Sequence, residues 1–82
     1  MTVILLDIEE AKARLAAGAQ PYEFKTDNPE VRILGPACGF GADCLQRYRK
    51  DGMYGESFAE AQNAAQAKSA IVTGVWFVKQ TQ

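Results

Sequence analysis

SFAEAQNAAQAKSAIVTGVWFVK, residues 57–79, is the stretch whose reading decides the fold. Ser57 followed by Glu60 has the spacing of a capping box, so a helix starts here. Phe58, Ala61, Ala65 and Val72 fall on one face at helical spacing, and Ala64 and Ile71 widen it. Glu60, Gln62, Asn63 and Gln66 face away. This pattern predicts a helix over residues 58–72, the longest element, broken by Thr73-Gly74. Residues 75–79, VWFVK, then read as the best strand in the chain. They are apolar on both faces, as expected of a central strand or of one covered on both sides. A helix face made mostly of Ala lets a sheet come close but buries little area per residue.

Working outward, residues 53–56 are a loop and residues 43–50 a shorter helix, with Leu45 and Tyr48 inward and Cys44 beside them. Arg47, Arg49 and Lys50 gather at its end, where cations suit the helix dipole, and Asp51-Gly52 stops it. Further back, residues 22–34 read as a hairpin. YEFK alternates, with Tyr22 and Phe24 inward. Thr26-Asp27-Asn28-Pro29 is a turn. Residues 31–34 return, with Val31 and Ile33 on one side and Arg32 and Leu34 on the other. At the start, residues 2–6 are either a short edge strand or an extended lead-in. Asp7 with Glu10 caps a helix whose inner face is Ile8, Ala11 and Leu15; Leu6 is placed to staple against Ala11, and Gly18 and Pro21 end the helix. The order (β)αββααβ has no βαβ rhythm. It gives an α+β domain over residues 1–82, a small antiparallel or mixed sheet packed against two or three helices.

Composition narrows the function classes. The chain has 82 residues, 48% of them hydrophobic, which suits one folded domain with a small core. Nine basic against ten acidic side chains leave a net charge of −1, a poor footprint for nucleic acid. Arg47, Arg49 and Lys50 beside Tyr48 and Tyr54 are the one cluster suited to bases and phosphates. Glu56 and Glu60 adjoin it, so nucleic acid is not the expected partner. The absence of His removes the usual base near neutrality and the commonest metal ligand. Two cysteines cannot form a four-thiolate zinc site or a disulfide scaffold. No metal or cofactor is expected. The opening residues lack a basic region and a small-residue cleavage site, and no apolar run reaches membrane-spanning length. The expected setting is cytoplasmic, without a membrane.

The chemistry-bearing junction is residues 35–44, between a strand and a helix. Gly35, Gly39 and Gly41 could turn backbone N–H groups toward an anion at a helix start. The spacing is neither the Walker pattern nor GxGxxG. Cys38 and Cys44 are candidates for a reversible redox pair, with Cys44 in the first helical turn, where a thiolate is favoured. ILGPACGFG, residues 33–41, resembles motif I of class I methyltransferases that bind S-adenosylmethionine, in the form typical of adenine-specific DNA methyltransferases. The resemblance implies that Gly39 and Gly41 match the family's glycines and Pro36, Ala37 and Cys38 its middle residues, near the cofactor's methionine part. Gly35 stands where that family has an acidic residue. No Asn/Asp-Pro-Pro-aromatic motif follows, and 82 residues cannot hold its seven-stranded sheet. The resemblance is therefore confined to the loop.

No catalytic constellation is present. The expected function is that of a non-catalytic, intracellular protein-binding module or regulator acting through a surface contact. Phe40, Met53 and Tyr54, large residues in loops, are its candidate anchors. The partner is another protein or a second copy of the chain, for which residues 75–79 offer a strand to pair. The alternative is a module for a small anionic ligand or nucleotide, held by the loop 35–41.

Overall fold

The computed structural model describes residues 2–38 and 41–79. Seven elements follow in order: β1 (Val3–Leu6), α1 (Ile8–Ala16), β2 (Glu23–Thr26), β3 (Ile33–Leu34), α2 (Ala42–Lys50), α3 (Phe58–Gln66) and β4 (Val72–Val78). The four strands form one sheet in the order β1-β4-β2-β3, and every neighbouring pair is antiparallel. The α+β class and the element order match the sequence reading. No helix among the described residues is long and apolar enough to cross a membrane.

Strand alternation divides the sheet into two faces. Ile4 and Leu6 on β1, Val75 and Phe77 on β4, Phe24 on β2 and Ile33 on β3 share one face with Val31. There they pack with Ala11 of α1 and with Ala61 and Ala65 of α3. Phe24, Ile33 and Val75 are fully buried there. The three helical alanines let α1 and α3 lie close to the sheet. Leu6 and Ala11 both enter this core, as the staple reading requires. Lys12 spans the two helices, its Nζ 4.8 Å from the centre of the Phe58 ring.

Caps fix where the helices begin. Asp7 accepts from the Glu10 N–H at 2.9 Å. Ser57 accepts from the Glu60 N–H at 3.2 Å, and Glu60 accepts in turn from the Glu56 N–H. Two helices end in Schellman motifs around glycines with positive φ. In α1, Gly18 and Ala19 donate to Leu15 and Arg14. In α2, Gly52 and Met53 donate to Arg49 and Tyr48.

The end of α3 corrects the sequence reading. The helix stops at Gln66, not near Val72. Ser69 takes a positive φ of 57°, and the Ala70 N–H donates to the Ala65 carbonyl at 2.8 Å. This closes the helix as a glycine would, without a glycine in the sequence. Ile71 is 57% exposed and is not on a helical face. Val72 opens β4, so Thr73 and Gly74 lie inside the strand rather than before it. Gly74 is there because of its neighbour: a Cβ on it would meet the Leu5 side chain at 3.1 Å. β4 is central, as its apolar faces imply.

The 22–34 hairpin holds, although its second strand is only two residues long. Thr26 organises the connection. Its buried hydroxyl lies 2.8 Å from the carbonyls of both Asn28 and Val31 and accepts from the Asn28 N–H. Asp27 ties the turn to β4. Its N–H donates to the Ile71 carbonyl, and its carboxylate accepts from the Ile71 N–H.

Candidate functional site

The two edges of the sheet are treated differently. The β3 edge is sealed. Leu34 N–H donates to the Met53 carbonyl at 2.9 Å and Gly55 N–H to the Leu34 carbonyl at 3.0 Å. Residues 53–55 therefore add a short parallel bridge outside β3. Gly55 lets this segment lie against α3, since a Cβ there would stand 2.9 Å from the Ala61 nitrogen. The Arg49 guanidinium sits 4.5 Å from the centre of the Tyr54 ring, and the Tyr54 hydroxyl donates to Glu56 at 3.2 Å.

The β1 edge is open. Lys79 N–H donates to the Thr2 carbonyl at 2.8 Å. With the register Val3↔Val78 through Leu6↔Val75, this makes Ile4–Phe77 and Leu6–Val75 the hydrogen-bonded pairs. The N–H and C=O groups of Val3 and Leu5 therefore point away from β4. None of them has a backbone partner among the described residues. β1 carries no charge, no proline and no bulge, the features that usually blunt such an edge.

The sheet's second face continues from this edge. By alternation it carries Val3 and Leu5 on β1, Trp76 and Val78 on β4, Glu23 and Lys25 on β2, and Leu34 on β3, with Arg32 just before it. At the β3 end α2 packs against the strand and Leu34 is fully buried. The Arg32 guanidinium binds Glu23 through two hydrogen bonds, of 2.8 and 3.1 Å. That hydrogen bonding, with smaller contributions from the charges of Glu23, Tyr48 and Tyr22, raises the Arg32 pKa above its ordinary value against a smaller opposing effect of burial. At the β1 end no helix among the described residues covers the face. Leu5 is 41% exposed, and Val3, Trp76 and Val78 are half-buried. The result is an apolar strip beside a free strand edge, bounded by one ion pair.

The residues singled out in the sequence lie elsewhere. Met53 packs against the core. Tyr54 is half-buried at the sealed edge. Phe40 and Gly39 lie outside the described residues. Gly35 is fixed by packing: a Cβ would strike the buried Pro21 carbonyl oxygen and stand 2.8 Å from its carbon. Gly35, Ala37 and Cys38 all donate their N–H groups to backbone carbonyls, those of Tyr22, Pro21 and Gly35. Pro36 has none to give, so residues 35–38 offer a ligand no free amide. Gly41 is the N-cap of α2 with no side-chain cap bond. Neither Cys38 nor Cys44 is in a disulfide, and both are half-buried.

Two clefts flank the α1–β2 connection at Gly18, Ala19 and Gln20. The larger, about 640 Å³, has Ile4, Phe77 and Val78 in its lining, with Arg14, Lys79 and Ala37 beside them. Neither Arg14 nor Lys79 has an ion-pair partner among the described residues. The smaller, about 240 Å³, lies between Pro36, Leu15 and Phe58. No group of three or more acidic, Cys or His residues among those described could hold a metal ion.

The sequence reading missed Val3, Leu5 and Trp76 as surface residues. The signal available was the uncharged run of residues 2–6, whose exposed side depends on which strand neighbours it. Residues 75–79 do not offer a free edge, because β4 is paired on both sides. No protein-family model, curated protein or solved structure matches the chain.

Proposed function

We propose that this protein is a non-catalytic module that works by binding another polypeptide along the open β1 edge and the apolar strip beside it. One observation supports this most directly. The chain seals one edge of its sheet with residues 53–55 and, among the described residues, leaves the other with unpaired backbone groups next to Leu5 and Trp76. An extended chain added there gains main-chain hydrogen bonds and apolar contact together. The test is affinity capture from the source lysate with wild type and Leu5→Lys side by side. Leu5 lies on the exposed strip, so the variant keeps the core. The expected result is a polypeptide held in fixed ratio by wild type and lost by the variant. Equal capture by both would place the contact elsewhere.

The larger cleft supports a second reading, a small anionic ligand with an apolar body. Its volume is in the range of ligand sites, and Arg14 and Lys79 stand beside an apolar lining. It differs from the loop-cradle alternative in its donors, which are these two cations rather than the amides of residues 35–38. Ligands that bind the folded state raise the melting temperature. A panel of organic phosphates, nucleotides and fatty carboxylates at millimolar concentration should do so in wild type and less in Arg14→Gln. No shift with any of them would end this reading.

A further inference from the structure

We propose that the polypeptide taken by the β1 edge is a second copy of this chain, paired antiparallel through β1 across a two-fold axis at Ile4. This rests on the reading of β1 as the binding edge and adds the identity of the partner. The backbone fixes the register. Only Val3 and Leu5 direct N–H and C=O groups outward. Pairing Val3 with Leu5 of the second copy, and Leu5 with its Val3, uses all of these groups in both chains and leaves Ile4 facing Ile4 as the non-hydrogen-bonded pair. Any register shifted by two residues uses only half of them between strands. The centre is therefore set by the strand itself.

The side chains agree with that register. Val3 and Leu5 share the sheet's second face, so each would lie across from the other's counterpart. Such β-branched and aliphatic cross-strand pairs favour the sheet. The pairing joins the two apolar strips, with Leu5 and Trp76 of both copies on one eight-stranded sheet. β1 has no charged residue to repel its own copy. A foreign peptide, by contrast, is selected through pockets for its alternate side chains. Among the described residues, those beside Val3 and Leu5 on this face are Val78, Trp76 and Gly74. Size sets the strength. Paired along only four residues, about 13 Å of strand, the two copies form a contact smaller than the roughly 1,200–2,000 Å² interfaces of stable complexes, so the dimer is weak and depends on concentration.

The test is sedimentation equilibrium from micromolar to millimolar protein, with wild type, Val3→Pro and Leu5→Lys. Val3→Pro removes an outward N–H and no bond within the fold, a position where an edge strand accepts proline. Leu5→Lys puts like-charged residues of the two copies on diagonal positions about 7–8 Å apart. Wild type should rise from one chain mass to two. Both variants should keep a native circular dichroism spectrum and lose at least about ten-fold in dimer affinity, near 1.4 kcal/mol. A wild type that stays at one chain mass overturns the proposal, as does a folded Val3→Pro that dimerises like wild type. If Val3→Pro does not fold, Leu5→Lys decides alone: monomeric supports the pairing, dimeric overturns it. The broader reading fails separately. A monomeric wild type whose capture of another polypeptide still needs Leu5 ends self-pairing only, whereas a monomeric wild type whose capture is indifferent to Leu5 ends both.

Discussion

Gly35→Ala should be among the most damaging single-methyl additions in the molecule. The added carbon meets backbone, which cannot swing aside. It strikes the carbonyl oxygen of Pro21, stands 2.8 Å from that carbonyl's carbon and 3.0 Å from the ring carbon Cγ, and Pro21 is itself fully buried. The same carbonyl accepts from Ala37 at 3.0 Å, and Gly35 donates to Tyr22 at 3.0 Å. Making room means separating the 35–38 loop from the start of β2. Overpacking of this kind costs about 1–3 kcal/mol, and weakening one of these bonds adds roughly 0.5–1.5 kcal/mol. The sum, about 2–4 kcal/mol, is large against the ~5–15 kcal/mol that holds a small domain together. At about 4–8 °C per kcal/mol for a chain of this size, melting followed by circular dichroism should fall by roughly 10–30 °C. Gly41→Ala is the control. A Cβ there meets nothing within 4 Å, and a changed N-cap costs at most about 1 kcal/mol. If Gly35→Ala melted as wild type does, the packing account of the loop would be wrong, and a ligand-binding role for Gly35 would regain its ground.

Two further substitutions test the local reasoning. Ser69→Gly should stabilise, because the native backbone holds a left-handed φ of 57° that costs an L-residue about 1–2 kcal/mol. A melting temperature unchanged or lowered would show that the Ser69 side chain offsets that strain. Thr26→Val should destabilise by about 1–3 kcal/mol in urea unfolding, since it takes the buried hydroxyl away from the Val31 carbonyl and leaves the Asn28 N–H without its acceptor. An isostere that unfolds at the wild-type midpoint would contradict the role given to this hydroxyl.

Much of the fold was legible because local chemistry was unambiguous. Asp7 and Ser57 cap as their spacing predicts, and Gly18 and Gly52 end helices with positive φ. Alternation in residues 22–34 put Phe24 and Ile33 inward, where both are fully buried. The end of α3 was not legible. Ala and Gln continue a helical pattern past Gln66, and the stop depends on Ser69 adopting a conformation that glycine usually signals. The β-branched run Ile71-Val72-Thr73 was the available cue for the strand. Gly74 pointed the wrong way, since it marks the close approach of Leu5 from another strand. The loop glycines looked alike in sequence, yet Gly35 is a packing position and Gly41 a cap, a difference that only the distant Pro21 creates. The open edge was hidden for a similar reason. The strand order β1-β4-β2-β3 places the strongest strand in the centre and the short uncharged β1 outside, and no feature of residues 2–6 alone says which side is bare.

The most direct test of the β1 edge as the working surface is residue-resolved amide hydrogen exchange on wild type, dilute and then concentrated. In dilute solution Ile4 and Leu6 should be protected by β4, and Val3 and Leu5 should exchange freely. On concentration Val3 and Leu5 should gain protection while Leu34 and Gly55, already bonded at the sealed edge, stay as they were. Val3 and Leu5 exchanging freely at every concentration would contradict the pairing of two copies. Val3 and Leu5 protected already in dilute monomer would contradict the open edge itself.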